Sequence, residues 1–167
     1  PQSFTDLFEA RFSGRVTLPD PLGSGTMLSS LLVWEQLGLT DIASALRRSR
    51  ATSSGGGTAV LDRIVRGEAL VGVALFEHVA LAKKATLNTA TNNLRFVVPK
   101  EGAVVVPGQL AILSKTAHLT AAQRVYDFLL SEAAQRVMIA HALHPPFDDL
   151  PAPHDGPCHT AAVLQML

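Results

Sequence analysis

The sequence predicts an α/β fold: a mostly parallel sheet flanked by helices, with further helices at the C-terminal end. Three observations carry that expectation. Short apolar runs alternate with segments whose apolar residues recur at helical spacing, the order that builds parallel sheets. One of those runs, Leu70–Phe76, is apolar on both faces, as expected of a strand covered by helices on both sides. The chain from Thr120 onward carries helical patterning until Pro145-Pro146 interrupts it.

The elements follow in order. Ser3–Phe12 places Phe4, Leu7, Phe8 and Phe12 at roughly helical spacing and reads as a short amphipathic helix. Arg15–Leu18 alternates and is closed by Pro19-Asp20-Pro21, a strand running into a loop. Met27–Leu37 is a long apolar helix, with Ser24 or Thr26 as its cap and Gly38 as its stop. A second helix is expected over Asp41–Arg50, capped by Thr40, with Arg47, Arg48 and Arg50 complementing the dipole at its C-terminal end. Ala51–Gly57 has the composition of a linker, but Thr58–Gly67 resumes helical spacing at Val60, Leu61, Ile64 and Val65. Leu94–Val98 and Leu110–Leu113 read as further short strands. Thr120–Leu130 opens with a capping box, Thr120 and Gln123, and puts Val125, Phe128 and Leu129 on one face. Glu132–Leu143 continues as a helix until the prolines. The tail Pro145–Pro157 holds five Pro and reads as an extended surface segment.

Composition narrows the function classes. The 167 residues carry 14 basic and 14 acidic side chains, a formal net charge of zero, with 47% hydrophobic and 17% charged residues. A nucleic-acid grip needs Lys and Arg clustered on one face, which zero net charge argues against. No apolar run approaches the roughly 20 residues of a membrane span. Pro1–Asp6 is polar and lacks the basic start and apolar centre of a signal peptide. Cys158 is the single cysteine, so no internal disulfide is possible and compartment stays open on that count. Trp34 and Tyr126 are the only residues of their kinds, too few for a base- or sugar-stacking platform.

Two runs are the most informative for chemistry: Ser24-Gly25-Thr26 and Ser53-Ser54-Gly55-Gly56-Gly57, each opening a helix. A helix start presents unpaired N–H groups and partial positive charge, and Gly lets a ligand approach the backbone. Two such ends facing one cleft could hold an anion without Lys or Arg; taken singly, each also suits a plain structural cap. Neither run has the Gly-Lys-Ser/Thr ending of a phosphate loop, and Gly23-Ser24-Gly25 leads to Leu28 rather than completing a G-x-G-x-x-G fingerprint. A hydrolase pairing Ser24 or Ser54 with His78 lacks the G-x-S-x-G elbow, so no enzyme is expected. Glu77-His78 directly follows the buried strand, where ligand-contacting residues of open α/β sheets lie; an exposed polar loop is the alternative. His141, His144, His154, Cys158 and His159 could be assembled into a metal site, but the last three sit in the Pro-rich tail without ligand spacing. They read as solvated residues, and neither a metal nor a cofactor is expected.

The order of motifs resembles a known family. Gly14-Arg15-Val16-Thr17-Leu18-Pro19-Asp20-Pro21 followed by Ser24-Gly25-Thr26 resembles a stretch of bacterial ABC-transporter solute-binding proteins. So do Ser54-Gly55, the run Gly67–Val73 before Phe76-Glu77-His78, Val98–Gly102, and Ala121–Leu130 followed by Ser131–Gln135. The branch looks like the iron(III)/phosphonate/polyamine type, with the type II periplasmic-binding fold. The resemblance implies that residues 1–107 are the second, ligand-binding lobe with the hinge entry. Residues 108–167 would be a return segment, two helices and the Pro-rich tail, with the first lobe absent. It places the hinge crossings near Ser3–Arg15 and Val106–Ala111.

By that resemblance the ligand-facing residues are Ser24, Gly25, Thr26, Ser54, Gly55, Glu77 and His78. Iron-binding members use adjacent tyrosines, and no Tyr-Tyr occurs here, which favours an anionic or zwitterionic organic solute; Glu77 would accept a solute amine. The implied function is capture of that solute between two lobes and delivery to ABC permease subunits, in the periplasm or outside the cell. A lone lobe would bind weakly and self-associate through its uncovered interlobe surface. The competing reading is the effector-binding domain of a LysR-type transcription regulator, which has the same lobe architecture.

Overall fold

The structure is a computed structural model that describes residues 1–85, 93–146, 150, 151 and 153. It divides into two compact units, Pro1–Val104 and Val105–Leu167. Among the described residues, the first unit holds a three-stranded sheet of β1 (Val16–Pro19), β2 (Thr52–Ser54) and β3 (Val71–Gly72) in the order β2-β1-β3. Both pairings are parallel: Thr17 stands opposite Thr52 and Pro19 opposite Ser54 on one side, Val16 opposite Val71 on the other. The α/β class read from the sequence is therefore what the chain adopts.

The sheet is small but covered on both faces. All four residues of β1 are buried, and because side chains alternate, Val16 and Leu18 share one face while Thr17 turns to the other. Val16 and Leu18 pack with Met27 and Trp34 of α1 (Gly25–Gln36) and with Phe4 and Leu7. Trp34 is fully buried, its ring centroid 4.8 Å from that of Phe4. The other face receives α3 (Gly57–Val65), whose Val60 is fully buried. That approach depends on Gly72: a Cβ there would lie 2.5 Å from Val60 Cγ1 and 2.9 Å from the Thr17 carbonyl oxygen. Beyond α3, Leu61 meets Val79 of α4 (Phe76–Ala85) and Leu94 in a second cluster.

Several expectations are corrected. Ser3–Phe12 forms two short 3-10 turns, Thr5–Phe8 and Ala10–Phe12, because Glu9 between them is extended (ψ 147°). The linker-like Ala51–Gly57 contains β2, which the ladder to β1 holds in place despite its weak strand composition. Leu70–Phe76 is a strand only at Val71–Gly72; Leu70 is 56% exposed, and after Val73 N–H donates to the Thr17 carbonyl (3.1 Å) the chain leaves the sheet to open α4 at Phe76. Leu94–Val98 and Leu110–Leu113 join no ladder: Leu94 serves the second cluster, whereas Leu113 is 82% exposed. The helix expected over Asp41–Arg50 is α2 (Ile42–Arg48), entered through Asp41 in the left-handed region (φ 58°) with no side-chain cap, so Thr40 is not its cap.

The second unit carries α5 (Leu119–Leu129) and α6 (Glu132–Ala140), packed on each other. The expected Thr120–Gln123 box is not formed: His118 is the N-cap and Thr120 lies inside the first turn. Ser131 does cap α6, accepting from the Ala134 N–H, and buried Gln135 donates from Nε2 to the Leu129 carbonyl at 2.7 Å. α6 stops before the prolines because Ala142 takes a left-handed conformation (φ 63°), with the Leu143 N–H returning to the Met138 carbonyl. Val125 and Phe128 are exposed. No described helix is long and apolar enough to cross a membrane.

Candidate functional site

Three parallel strands end at one edge of the sheet, and each hands over to a helix there. β1 passes through Asp20–Ser24 into α1, β2 through Gly55-Gly56 into α3, and β3 through residues 73–75 into α4. The chain goes from β1 to one neighbour and then crosses to the other, so its winding reverses between β1 and β3. Open α/β sheets bind ligands outside the carboxyl ends of strands at such a reversal. Of the seven residues expected at the site, Ser24 and Gly55 lie on these passages, and Gly25, Thr26, Ser54, Glu77 and His78 lie in the strand end or helix first turn that adjoins them.

The first passage is tightly organised. Asp20 Oδ1 accepts from the Leu22 N–H at 3.0 Å, bending the chain after β1. Ser24 Oγ accepts from the Met27 N–H at 3.3 Å and lies 3.0 Å from Thr26 Oγ1, so the two hydroxyls are paired across the first turn of α1. Gly25 between them is exposed, with no atom within 4 Å of where a Cβ would stand. This start is capped, yet a solute can still reach its backbone.

The second passage differs from the sequence reading in one respect. Ser54 is buried, and its Oγ lies 2.8 Å from Thr17 Oγ1, inside the sheet. Its carbonyl accepts from the Asp20 N–H at 2.7 Å, tying the first two passages together. What this loop offers a ligand is chiefly backbone: exposed Gly55, then Gly56, the N-cap of α3, which has no side-chain cap. The first-turn N–H groups of α3 are thus left to water or an anion.

In the third passage Glu77 and His78 occupy the first turn of α4 and not a loop. His78 is brought against α3, its ring filling the space beside Gly57. Ser54–Gly57 and His78 are therefore neighbours, while Ser24 and Thr26 are linked to each other and share the same sheet edge. The basic residues of α3 and α4, Arg63, Lys83 and Lys84, stand in the last turns, away from this edge. Helix starts carry partial positive charge, and the carboxylates of Asp20 and Glu77 stand at the same edge. Gly56, Gly57, Thr17 and Asp20 also shape the site; they stand in the Ser53–Gly57 run and the Gly14–Pro21 motif but were not among the expected ligand-facing residues.

Other features lie elsewhere. A concavity of about 340 Å³ runs between the N-terminal turns and the α1–α2 connection, lined by Phe8, Leu39, Ile42 and Glu101 among others, and none of the seven residues lines it. No group of three or more His, Cys, Asp or Glu side chains is placed to hold a metal ion among the described residues. His141 terminates α6, its Nδ1 2.9 Å from the Val137 carbonyl, and His154, Cys158 and His159 lie outside the described residues.

Residues 1–160 match the family model described as bacterial extracellular solute-binding protein. The chain belongs to this family. Its small parallel sheet flanked by helices is consistent with one lobe of a periplasmic-binding-protein fold. An uncharacterized protein of Haemophilus influenzae is 28% identical over 141 residues, covering 82% of this chain and 39% of that relative. The chain thus spans well under half the length of the relative it matches.

Proposed function

We propose that this chain is a ligand-binding lobe of a solute-binding protein that captures a small anionic or zwitterionic solute and presents it to the membrane subunits of an ABC importer, in the periplasm or outside the cell. The mechanism is capture, not catalysis. One observation carries the reading: three strand-to-helix passages open at one sheet edge, one capped by Ser24 and another left uncapped at Gly56, with no Lys or Arg in the first turn of any of the three helices. Helix dipoles and free N–H groups then supply the attraction for a carboxylate or phosphonate. Glu77 beside them suits a solute amine, which is the basis for including zwitterions.

The energetics set the expected strength. Two helix ends at up to about 2 kcal/mol each give about 4 kcal/mol, a roughly millimolar affinity. A micromolar receptor needs about 8 kcal/mol, so a facing lobe has to add contacts and exclude water.

A thermal-shift panel of phosphonates, sugar phosphates, carboxylates and polyamines tests the reading. At about ten times a millimolar dissociation constant, an anion stabilises the chain by about 1.4 kcal/mol, a rise of a few degrees. Polyamines leave the midpoint unchanged. Stabilisation by polyamines and not by anions would overturn the proposal.

A further inference from the structure

His78 holds an unusual position for a polar side chain. Its Nδ1 is buried and has no hydrogen-bond partner among the described residues. The ring lies where a side chain on residue 57 would otherwise be: a Cβ there would stand 2.2 Å from Nδ1 and 2.6 Å from Cε1. Gly57 is also the first residue of α3, and α3 has no side-chain cap. An unpartnered polar atom at such a place calls for a physical account.

We propose that Gly57 is a positioning residue for His78, and that the pair makes the Nε2–H of His78 a donor to the anionic group of the solute. This rests on the reading of the sheet edge as the solute site. A neutral imidazole carries its proton on one nitrogen and a lone pair on the other, and the surroundings decide which. Nδ1 abuts the start of α3, where the helix dipole makes the potential positive, and no acceptor is present to take a proton from it. A lone pair is favoured there and an N–H is not. The proton therefore resides on Nε2, across a ring that is only part-buried. Held this way, His78 needs no positive charge to bind an anion: Nε2–H donates from a ring seated against Gly57, the first residue of α3. Any side chain at residue 57 would push the ring off the helix, release the tautomer and misplace the donor.

Nitrogen-15 NMR of the imidazoles in the intact chain tests the first half without any solute. Above the ordinary histidine pKa, wild type is expected to show His78 with a protonated Nε2 and a bare Nδ1. In Gly57→Ala the two nitrogens should average, as in a free imidazole. Alanine at 57 should destabilise the chain when His78 is present and be harmless in a His78→Ala background, a result that reports the seat even if Gly57→Ala alone folds poorly. A protonated Nδ1 in wild type, or an unchanged His78 pattern in Gly57→Ala, overturns the proposal and leaves the solute site standing.

The second half uses inorganic phosphate as the probe, against chloride at equal ionic strength. Gly57→Ala and His78→Ala are expected to weaken phosphate binding about tenfold. His78→Gln, whose amide N–H reaches the place of Nε2–H, should stay within about twofold, and His78→Asn should not rescue. If the tautomer and seat hold but phosphate perturbs neither His78 nor Ser24–Thr26, the solute-site reading itself fails, and the donor role falls with it.

Discussion

Two contacts at the residue scale hold the sheet edge in shape, and a third ties the chain back to its start. Gly72 has no room for a methyl group between Val60 and the Thr17 carbonyl, so Gly72→Ala is expected to lower stability by about 1–3 kcal/mol through overpacking, measured by urea unfolding. The buried Thr17–Ser54 hydroxyl pair behaves differently. Thr17→Val keeps the shape but strands the Ser54 hydroxyl, a loss of about 1–3 kcal/mol that Thr17→Val/Ser54→Ala should largely recover. Glu101 fastens the return of the chain to its start: Ser3 Oγ donates to its carboxylate, and the Lys100 N–H donates to the Gln2 carbonyl at 2.8 Å. The Ser3 hydroxyl, more than any other group, holds the Glu101 carboxyl below the usual carboxylate range. The sign follows directly. An ionised Glu101 stabilises the folded chain at pH values above the ordinary glutamate pKa, and that contribution disappears as pH falls through its lowered folded value. Acid-unfolding curves of Glu101→Gln should therefore be flatter than wild type across that window and should not differ in slope near neutrality.

Elements show which signals were local enough to read. The starts and stops of α1 and α3 were legible because Ser24, Gly38 and Gly67 act within one turn of the chain. Ser24→Ala is expected to destabilise α1 by about 1 kcal/mol through loss of its cap, with thermal unfolding as the readout. β2 was hidden for the opposite reason. Thr52-Ser53-Ser54 has weak strand character of its own, and its pairing partner Thr17 lies far away in sequence. Leu94–Val98 misled because an apolar run reports burial and not a ladder; Leu94 is buried under α3 and α4 instead. The end of α6 was out of reach as well, since Ala142 adopts a left-handed conformation that its side chain does not advertise. The seven site residues were named by the family resemblance; Ser24, Gly25, Thr26, Ser54 and Gly55 also stand in runs recognisable as helix starts, whereas Glu77 and His78 were read as following a buried strand. Their convergence is a property of the strand order β2-β1-β3, which no local pattern encodes.

At the scale of the whole molecule, the apolar composition is only partly spent on the core. Leu22 is 98% exposed in the first passage, and Leu28 and Leu32 form an exposed i, i+4 pair on α1. In the second unit Val125 and Phe128 are exposed on α5. Apolar faces of this kind favour association, so light scattering at rising concentration is expected to show a mass above the 17.7 kDa of one chain. Leu28→Lys/Leu32→Glu should bring it back toward the monomer, and a strictly monomeric wild type would refute the expectation. The central claim, that the carboxyl edge of the sheet is where a small anion binds, is tested most directly by backbone amide shift mapping with aminomethylphosphonate at concentrations on the order of tens of millimolar. The account predicts saturable shifts at Ser24–Thr26, Gly55–Thr58 and Glu77–His78. Shifts confined to the concavity around Leu39 and Ile42, or none at the sheet edge, would contradict it.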